Sequence, residues 1–516
     1  MKALLITGTL AQNTVKQYAQ QSSTPTQTLA LNVQVAAFLT PALISQALKK
    51  QNLKDITIIL TPGQMPGDTQ SITQATGIPA FKGPRYAADL PIILDNLNEV
   101  ELSTVTPACD LLQEKIQQKA LKQLEKAEAQ SQELLKNPGH LKIGNLTIGK
   151  ELPMRVLAEI VDAPLLDNET IKRLAKRYVA SGANIIDVGM CAGQTRPDDA
   201  ERAVRAVKAV VEVPVSIDTL NPAEIEAAIK AGADLILSGD EGNLQDIAPF
   251  AKDTAVVIIP TNQKKGIFPQ NPKARVEMLE HLIGQAKALG FRKVIGDLVL
   301  EPPHTLDSFV AFQEFNRRNP DVPLLIGIAN LVELFDADSV GLNALLSWLS
   351  SEVNVDILLT TEKTPKAFGS VHEVATASKM MYLAKKRDSV PRDLGLDLLI
   401  LKDRAERELN YDFDKAKVIA AKKQSSALVE LDPCGVFRVA VDREAGSIVA
   451  LYYESSESKE VSCAICGRGA EEVMGEVLRR GLVSQLGHAA YLGMELAKAE
   501  VALRTGKGYL QDANLF

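Results

Sequence analysis

The chain has 516 residues, more than a single hydrophobic core usually serves, so we expect several domains. Its 57 basic and 64 acidic residues give a net charge of −7, and aromatic residues make up only 4%. This composition argues against a nucleic-acid-binding surface, which needs clustered cations and stacking rings. The longest apolar runs have the length of strands, so no membrane span is predicted. Five sparse cysteines favour the reducing cytoplasm.

The first 110 residues alternate strand-like and helix-like segments. Residues 3–7 and 55–60 have the apolar composition of buried parallel strands, which predicts an open, Rossmann-like α/β domain over residues 1–110. Residues 111–137 are rich in Lys, Glu, Gln, Ala and Leu, with apolar residues at helical spacing. We interpret them as a solvated helix within a linker over residues 111–149.

A regular alternation of strands and helices begins at Arg155. Eight strand-like runs, each followed by an amphipathic helical run, fit into about 235 residues, which matches a (β/α)8 TIM barrel at residues 150–390. A doubly wound sheet gives a similar alternation, but eight evenly spaced units favour a closed barrel. The predicted strands are 155–161, 184–189, 214–219, 234–239, 255–261, 293–297, 323–330 and 356–362.

The end of the chain predicts a small α+β domain over residues 426–516, after a charged helical linker at 391–425. A hairpin is expected around residues 443–446, with two helices after it. Cys463 and Cys466 form a single CxxC pair, but nothing nearby completes a zinc site, so we interpret them as part of a buried strand. We expect His488 to pack or hydrogen-bond where two helices meet, rather than to bind a corrinoid.

Polar side chains follow the predicted barrel strands at their carboxyl ends, where barrel enzymes have their active sites. An aspartate after a strand often caps the next helix, but several carboxylates at one rim repel one another unless a ligand uses them. Without histidine or cysteine among them, we predict no metal site. Carboxylates and asparagine suit a ligand with many N–H donors, such as a reduced pterin. The polar residues at the strand ends are Glu159, Asp162, Asp187, Asp218, Asp240, Asp297 and Asn330.

Three segments follow one another along the barrel: Asn184-Ile-Ile-Asp-Val-Gly189, Thr195-Arg-Pro197 and Pro214-Val-Ser-Ile-Asp-Thr219. Their order resembles the pterin-binding domain of dihydropteroate synthases. The whole chain, with its terminal domains, looks like the dihydropteroate synthase-related proteins of archaea and of bacteria that use methanopterin-type carriers. The resemblance implies a transferase acting on a reduced pterin of the tetrahydromethanopterin or folate type, in its biosynthesis or in one-carbon metabolism.

Other segments depart from the synthase pattern and are similar to the methyltetrahydrofolate:corrinoid methyltransferase branch of the same superfamily. They are Ala158-Glu-Ile-Val-Asp162, Gly296-Asp-Leu-Val-Leu-Glu-Pro302 and Gly327-Ile-Ala-Asn330, followed by Asn343. This likeness implies that Asp218 and Asp297 bind the pyrimidine edge, that Asn330 faces the pterin N5 region, and that Asn343 belongs to the same site. Asp162 and Asn330 become the candidate catalytic residues.

Three functions remain open at this stage. A synthase would have to neutralise a diphosphate leaving group with cations or Mg²⁺, for which Arg196 and Lys264 are the candidate side chains. A methyltransferase would need partial protonation of N5 and a corrinoid protein as partner. A non-catalytic pterin-binding scaffold would need neither. We place the synthase slightly ahead, because the whole-chain likeness covers more residues, and we expect a homo-oligomer.

Overall fold

The structure is a computed structural model that describes residues 1–403, 419 and 432–516. These residues form two units, one made of 1–363 with 370–398 and the other of 364–369 with 399–516. Much of the predicted helical linker at 391–425, and the predicted start of the last domain at 426–431, lie outside the described residues. Among the helices that the structure describes, none is long and apolar enough to cross a membrane.

The first unit begins with a four-stranded parallel sheet whose order is second, first, third, fourth. Alternate residues of its first strand enter two different cores, with Ala3 and Leu5 in one and Leu4 and Ile6 in the other. The strands are Ala3–Gly8, Thr26–Leu31, Ile58–Thr61 and Ala80–Lys82. The helices are Gln12–Ala19, Pro41–Leu48, Gln70–Thr76, Leu90–Asp95 and Ala108–Leu111, with 3-10 turns at Ala36–Phe38 and Ala87–Asp89.

The connecting segment is helical over Gln113–Ala129 and Ser131–Leu134. Its four buried residues recur at helical spacing and are Ile116, Ala120, Leu124 and Ala127. Glu128 forms an ion pair with Arg155 of the first barrel strand. The expectation of a solvated helix is therefore wrong for this face, because the apolar residues at helical spacing are packed against protein.

Eight parallel strands form the predicted barrel, and each predicted strand is present. The gap between the sixth and seventh strands is spanned by a parallel bridge between Gly296 and Leu324. Barrel strands one to eight are Arg155–Ile160, Ile185–Gly189, Val215–Asp218, Leu235–Gly239, Ala255–Ile258, Val294–Gly296, Leu325–Gly327 and Ile357–Thr361. The helices between and after them are Asn168–Ala180, Pro197–Lys208, Pro222–Ala231, Leu244–Ala251, Pro272–Ala288, Thr305–Arg318, Ala329–Val332, Ser339–Glu352 and Ser370–Arg387. Short 3-10 turns lie at Ala163–Leu165, Gln263–Lys265, Pro302–His304 and Pro365–Ala367.

A short antiparallel hairpin, Leu141–Ile143 with Leu146–Ile148, closes the amino-terminal end of the barrel. Ile143 and Ile148 are fully buried among the inward side chains at the starts of the strands, such as Leu157. Burial of each isoleucine contributes about 1.5–3 kcal/mol. Because apolar side chains fill this end, the polar interior of the barrel is confined to the opposite rim.

The second unit contains a three-stranded antiparallel sheet, Val436–Asp442, Ser447–Tyr453 and Cys463–Gly467, with the predicted hairpin between the first two strands. Helices Ala470–Arg479 and Leu486–Thr505 share an apolar core with the sheet. Cys466 is exposed and Cys463 is partly exposed, so the expectation that these cysteines are buried is wrong. They lie in a strand with one face open to solvent.

Candidate functional site

Three carboxylates lie side by side on barrel strands one to three. Glu159 pairs in register with Asp187, and Gly189 with Asp218. Carboxylate oxygens of Glu159, Asp187 and Asp218 all lie within 4.8 Å of one another. Gly189 makes room for this approach, because a Cβ atom there would lie 2.3 Å from Glu159 Oε1. We call these three carboxylates, together with Asp297 at the end of strand six, the acidic cup.

Burial raises the pKa values throughout the acidic cup, and repulsion between carboxylates adds to the effect at Glu159, Asp187 and Asp297. Burial raises the pKa of Glu159 to about 8, and the charges of Asp218 and Glu333 add to the effect. Burial, followed by repulsion from Asp218 and Glu159, holds the pKa of Asp187 well above its usual range. Burial also raises the pKa of Asp218 to about 6 and that of Asp297 to about 7. Glu159 therefore retains its proton at neutral pH.

Asp187 has too few hydrogen-bond donors around it. Ser216 Oγ donates to Asp187 Oδ1 at 2.5 Å, while Asp187 Oδ2 is buried and has no partner among the described residues. An unsatisfied buried acceptor costs about 1–3 kcal/mol, so a ligand that brings N–H donors would relieve this cost. The three clustered carboxylates also have the spacing of ligands to a hard cation such as Mg²⁺.

Asp297 and Asn330 meet at one loop, residues 299–301. Asp297 Oδ1 accepts a hydrogen bond from the backbone N–H of Val299 at 2.8 Å, and Asn330 Nδ2 donates to the carbonyl of Leu300 at 3.1 Å. Val299 has φ +61°, which is strained for a β-branched residue. The orientation of two predicted pterin-binding side chains thus depends on one strained turn.

Arg275 stabilises that turn through hydrogen bonds. Its fully buried guanidinium donates to the carbonyl of Val299 at 3.2 Å and to Ser308 Oγ at 3.1 Å, and it pairs with Glu301. It also donates to the carbonyl of Pro269 at 2.9 Å, in the loop after strand five. Sequence reasoning missed this residue, although an arginine on the apolar face of a predicted helix is a signal that it has buried partners.

Two predicted site residues, Asp240 and Asn343, make hydrogen bonds outside the acidic cup. Asp240 accepts hydrogen bonds at 2.7–3.1 Å from four donors, which are the backbone N–H groups of Gly242, Asn243 and Gln263 and the hydroxyl of Thr261. Asn343 is buried between the last two barrel helices, where it donates to Glu373 Oε2 at 2.7 Å. The structure does not bring either side chain into the acidic cup, because each already holds loops or helices together.

The predicted basic residues of the rim are already paired. Arg196 Nη1 lies 3.5 Å from Asp199 Oδ2, and Lys264 Nζ lies 2.8 Å from Asp246 Oδ2. Asp162, the other candidate catalytic residue, has φ +51° and pairs with Lys363, which follows strand eight. Sequence reasoning missed Lys363, although its position directly after a strand is the signal that was used for the carboxylates.

Comparisons with known proteins add to this geometry. The pterin-binding enzyme family matches residues 162–335, and the PterinBD-DUF4346 family matches residues 431–512. An uncharacterized protein of Methanocaldococcus jannaschii is 39% identical over 531 residues, covering 100% of this chain and 99% of that protein. A dihydropteroate synthase of Streptococcus pyogenes is 37% identical over 106 residues, covering 18% of this chain and 39% of that protein. The solved structure of Yersinia pestis dihydropteroate synthase covers 48% of this chain and 100% of its own, with 18% identity and a TM-score of 0.38.

Proposed function

This chain belongs to the same family as the Methanocaldococcus jannaschii protein and contains a pterin-binding enzyme domain, and we propose that this domain binds a reduced pterin and transfers a one-carbon group from it. The acidic cup is the observation that carries the proposal. Its carboxylates are short of hydrogen-bond donors, and the 2-amino-4-oxopyrimidine edge of a pterin supplies adjacent N–H groups. The pterin would be of the tetrahydromethanopterin or folate type.

The charge at the rim favours transfer of a methyl group from N5 over displacement of a diphosphate. A diphosphate needs unpaired cations or a metal ion, and Arg196, Lys264 and Lys363 each already have an acidic partner. A methylated pterin brings no such charge. The rim loops carry exposed apolar side chains, among them Leu165. These side chains support binding of an acceptor that has a broad apolar surface, and a corrinoid protein is such an acceptor.

Protonation is the chemical step that the acidic cup would assist. When the bond between the methyl carbon and N5 breaks, the electron pair stays on N5, and a proton there makes N5 a better leaving group. Glu159 has a pKa of about 8 and therefore carries a proton at neutral pH that it can donate, directly or through water. Asp297 and Asn330, which share the loop 299–301, would hold the ring in place.

A synthase remains the second candidate, and a specific observation favours it. The side chains of Arg196 and Lys363 are 33% and 50% exposed, and their ion pairs lie at the rim, where a diphosphate could compete for them. The three carboxylate oxygens with metal-ligand spacing would supply a place for Mg²⁺.

Calorimetric binding of two ligands tests the proposal. We expect an N5-methyl-tetrahydropterin to bind more tightly than a hydroxymethyl-dihydropterin diphosphate, and Asp218→Asn to weaken that binding by about 100-fold, since a charge-assisted bidentate contact is lost. Asp246→Asn is the matched control, because its exposed carboxylate pairs with Lys264 outside the cup. Tighter binding of the diphosphate would shift the function to the synthase, and absence of binding by both ligands would contradict pterin binding altogether.

A further inference from the structure

A buried carboxylate and a histidine form a pair in the second unit. The side chain of Asp432 is 0% exposed, and its Oδ2 lies 3.2 Å from Nδ1 of His488. Four other donors reach the same carboxylate at 2.7–2.9 Å, namely the backbone N–H groups of Cys434, Ser484 and Gln485 and the hydroxyl of Ser484. Burial alone would raise the pKa of Asp432, but the hydrogen bonds from Ser484, Cys434 and Gln485 outweigh it and hold the pKa well below its usual range.

This carboxylate fixes the orientation of the imidazole. Because Asp432 already accepts from four N–H and O–H donors, His488 meets it as a fifth donor, so Nδ1 carries the hydrogen and the lone pair lies on Nε2. The ring packs against Phe437, at a centroid distance of 5.9 Å, and stacks with Tyr491 at 6.4 Å. Tyr491 is itself held by Asp512, 2.6 Å from its hydroxyl. Nδ1 makes the hydrogen bond of this ring, Nε2 has no partner among the described residues, and the side chain as a whole is 11% exposed.

Helix capping accounts for only part of this arrangement. Asp432 accepts from the backbone N–H groups of Ser484 and Gln485, just before helix Leu486–Thr505, and thereby caps it. A cap does not require a histidine ring packed against two aromatic rings with its second nitrogen unpaired. A carboxylate that fixes one imidazole nitrogen and leaves the other free is the arrangement that orients histidine ligands of metals.

The surroundings of Nε2 restrict the kind of metal. Among the described residues the one group of side chains with the spacing of a multidentate metal site is Glu159, Asp187 and Asp218, in the other unit. A bare ion would therefore find a single ligand at His488, whereas a metal in a tetrapyrrole ring needs one axial nitrogen. Leu486, two residues before His488, is 90% exposed and supplies apolar surface for such a ring.

We propose that Nε2 of His488 is the axial ligand of a metal held in a tetrapyrrole, and that this tetrapyrrole is a corrinoid. The site itself stands independently of the acidic cup. The preference for cobalt in a corrin over iron in a haem rests on the proposed function, since a reduced corrinoid is a methyl acceptor. One chain would then carry both the methyl donor site and the acceptor.

Titration of the full-length protein with diaquacobinamide, a corrinoid without its own nitrogen base, tests this proposal. We expect a saturable shift of the visible absorption bands and, after reduction to cobalt(II), an electron paramagnetic resonance spectrum split by one nitrogen nucleus. His488→Ala should lose both signals, and added imidazole should restore them. Asp432→Asn should weaken binding about 10–100-fold, as expected for a residue that orients a ligand. His281→Ala, which removes an exposed histidine of the barrel, should leave both signals unchanged.

Hemin and the bare ions Co²⁺ and Zn²⁺ are the comparison ligands. Binding of hemin alone, lost in His488→Ala, would support the tetrapyrrole site and contradict the corrinoid preference. Binding of bare ions without either macrocycle, or a nitrogen splitting that survives in His488→Ala, would overturn the site. The titration contains no pterin, so a normal cobalt signal in a protein that fails to bind pterins would count against the proposed function alone.

Discussion

The acidic cup and the pair formed by Asp432 and His488 both contain buried carboxylates, yet the pKa values of these carboxylates are shifted in opposite directions. In the cup, Glu159 and Asp187 lie beside other carboxylates with few donors, and burial raises their pKa values. In the second unit, Asp432 has five donors around it, and its pKa is held well below its usual range. Burial alone does not decide whether a carboxyl group is charged. The number of N–H and O–H donors that reach the group decides it as well.

The two carboxylates therefore differ in their need for a ligand: the hydrogen bonds of Asp432 are complete within the protein, whereas those of Asp187 are not. The carboxylate of Asp432 is fully hydrogen-bonded, so its remaining effect is to orient His488. Asp187 keeps an unsatisfied oxygen, so the free protein is destabilised at the place where a donor-rich ligand would bind. Stability measurements on the free protein can therefore distinguish the two regions.

The largest effect is expected at the satisfied carboxylate. Asp432→Ala leaves the donors of Cys434, Ser484 and Gln485 without their acceptor, so the second unit should lose its resistance to proteolysis. Limited proteolysis with mass spectrometry measures this loss. Asp442→Ala, in the exposed hairpin turn, is the control and should change little. An Asp432→Ala protein as resistant as wild type would mean that these hydrogen bonds contribute little.

The next effect concerns the loop that supports the acidic cup. Arg275→Met leaves Glu301 and the carbonyl of Val299 without their buried donor, so the first unit should lose about 3 kcal/mol of stability. Fluorescence of Trp348, the sole tryptophan, follows its unfolding in denaturant. Arg317→Met, at an exposed ion pair, should cost about 0–1 kcal/mol.

Arg275→Lys separates positioning of the cup from stability. Lysine keeps the charge but cannot reach several acceptors at fixed angles, so pterin affinity should fall about tenfold while most of the stability is retained. An affinity equal to that of wild type in this variant would show that loop 299–301 does not position Asp297 and Asn330.

Substitution of the unsatisfied carboxylate, Asp187, should raise stability and not lower it. Asp187→Asn replaces a carboxyl group whose ionised form is disfavoured by burial and by the neighbouring carboxylates, and it adds a donor, so the free protein should be stabilised by about 1–2 kcal/mol at neutral pH while pterin binding weakens. The Trp348 unfolding transition measures the gain. Asp246→Asn, which removes an exposed carboxylate, should change stability by less than about 0.5 kcal/mol. Destabilisation by Asp187→Asn would remove the contrast between the two regions.

The last prediction is a dependence of stability on pH. The pKa of Glu159 rises from 4.5 to about 8 on folding, so the folded state binds this proton more tightly. The resulting stabilisation is fully present below about pH 4.5 and is lost as the pH rises through about 8. The unfolding free energy of the first unit should thus fall steadily as the pH rises over this range, and Glu159→Gln should flatten the curve. A flat curve for wild type would mean that the cup is ionised throughout.

Local patterns were sufficient to predict the barrel. Apolar runs of strand length alternate with helical periodicity, and these signals act over neighbouring residues. Boundaries were less accurate where an apolar run continues past the strand. The seventh strand was predicted as 323–330 but spans Leu325–Gly327, because Ile328 is buried in the turn before the next helix.

The composition of the site was harder to predict, because it depends on distant contacts. Position at a strand end indicates the rim, but it does not tell which donors surround a side chain. Asp240 and Asp297 look alike in the sequence, yet four donors surround the first. The partners Asp162 and Lys363 are 201 residues apart, so no local pattern connects them.

The hairpin that closes the amino-terminal end of the barrel has a kinetic consequence. With that end filled by Ile143 and Ile148, a pterin in the acidic cup enters and leaves through the rim alone. In the proposed transfer, the acceptor of the one-carbon group would have to occupy the same opening. Binding would then be ordered, with the pterin first to arrive and last to depart, and a bound acceptor should slow the exchange of pterin.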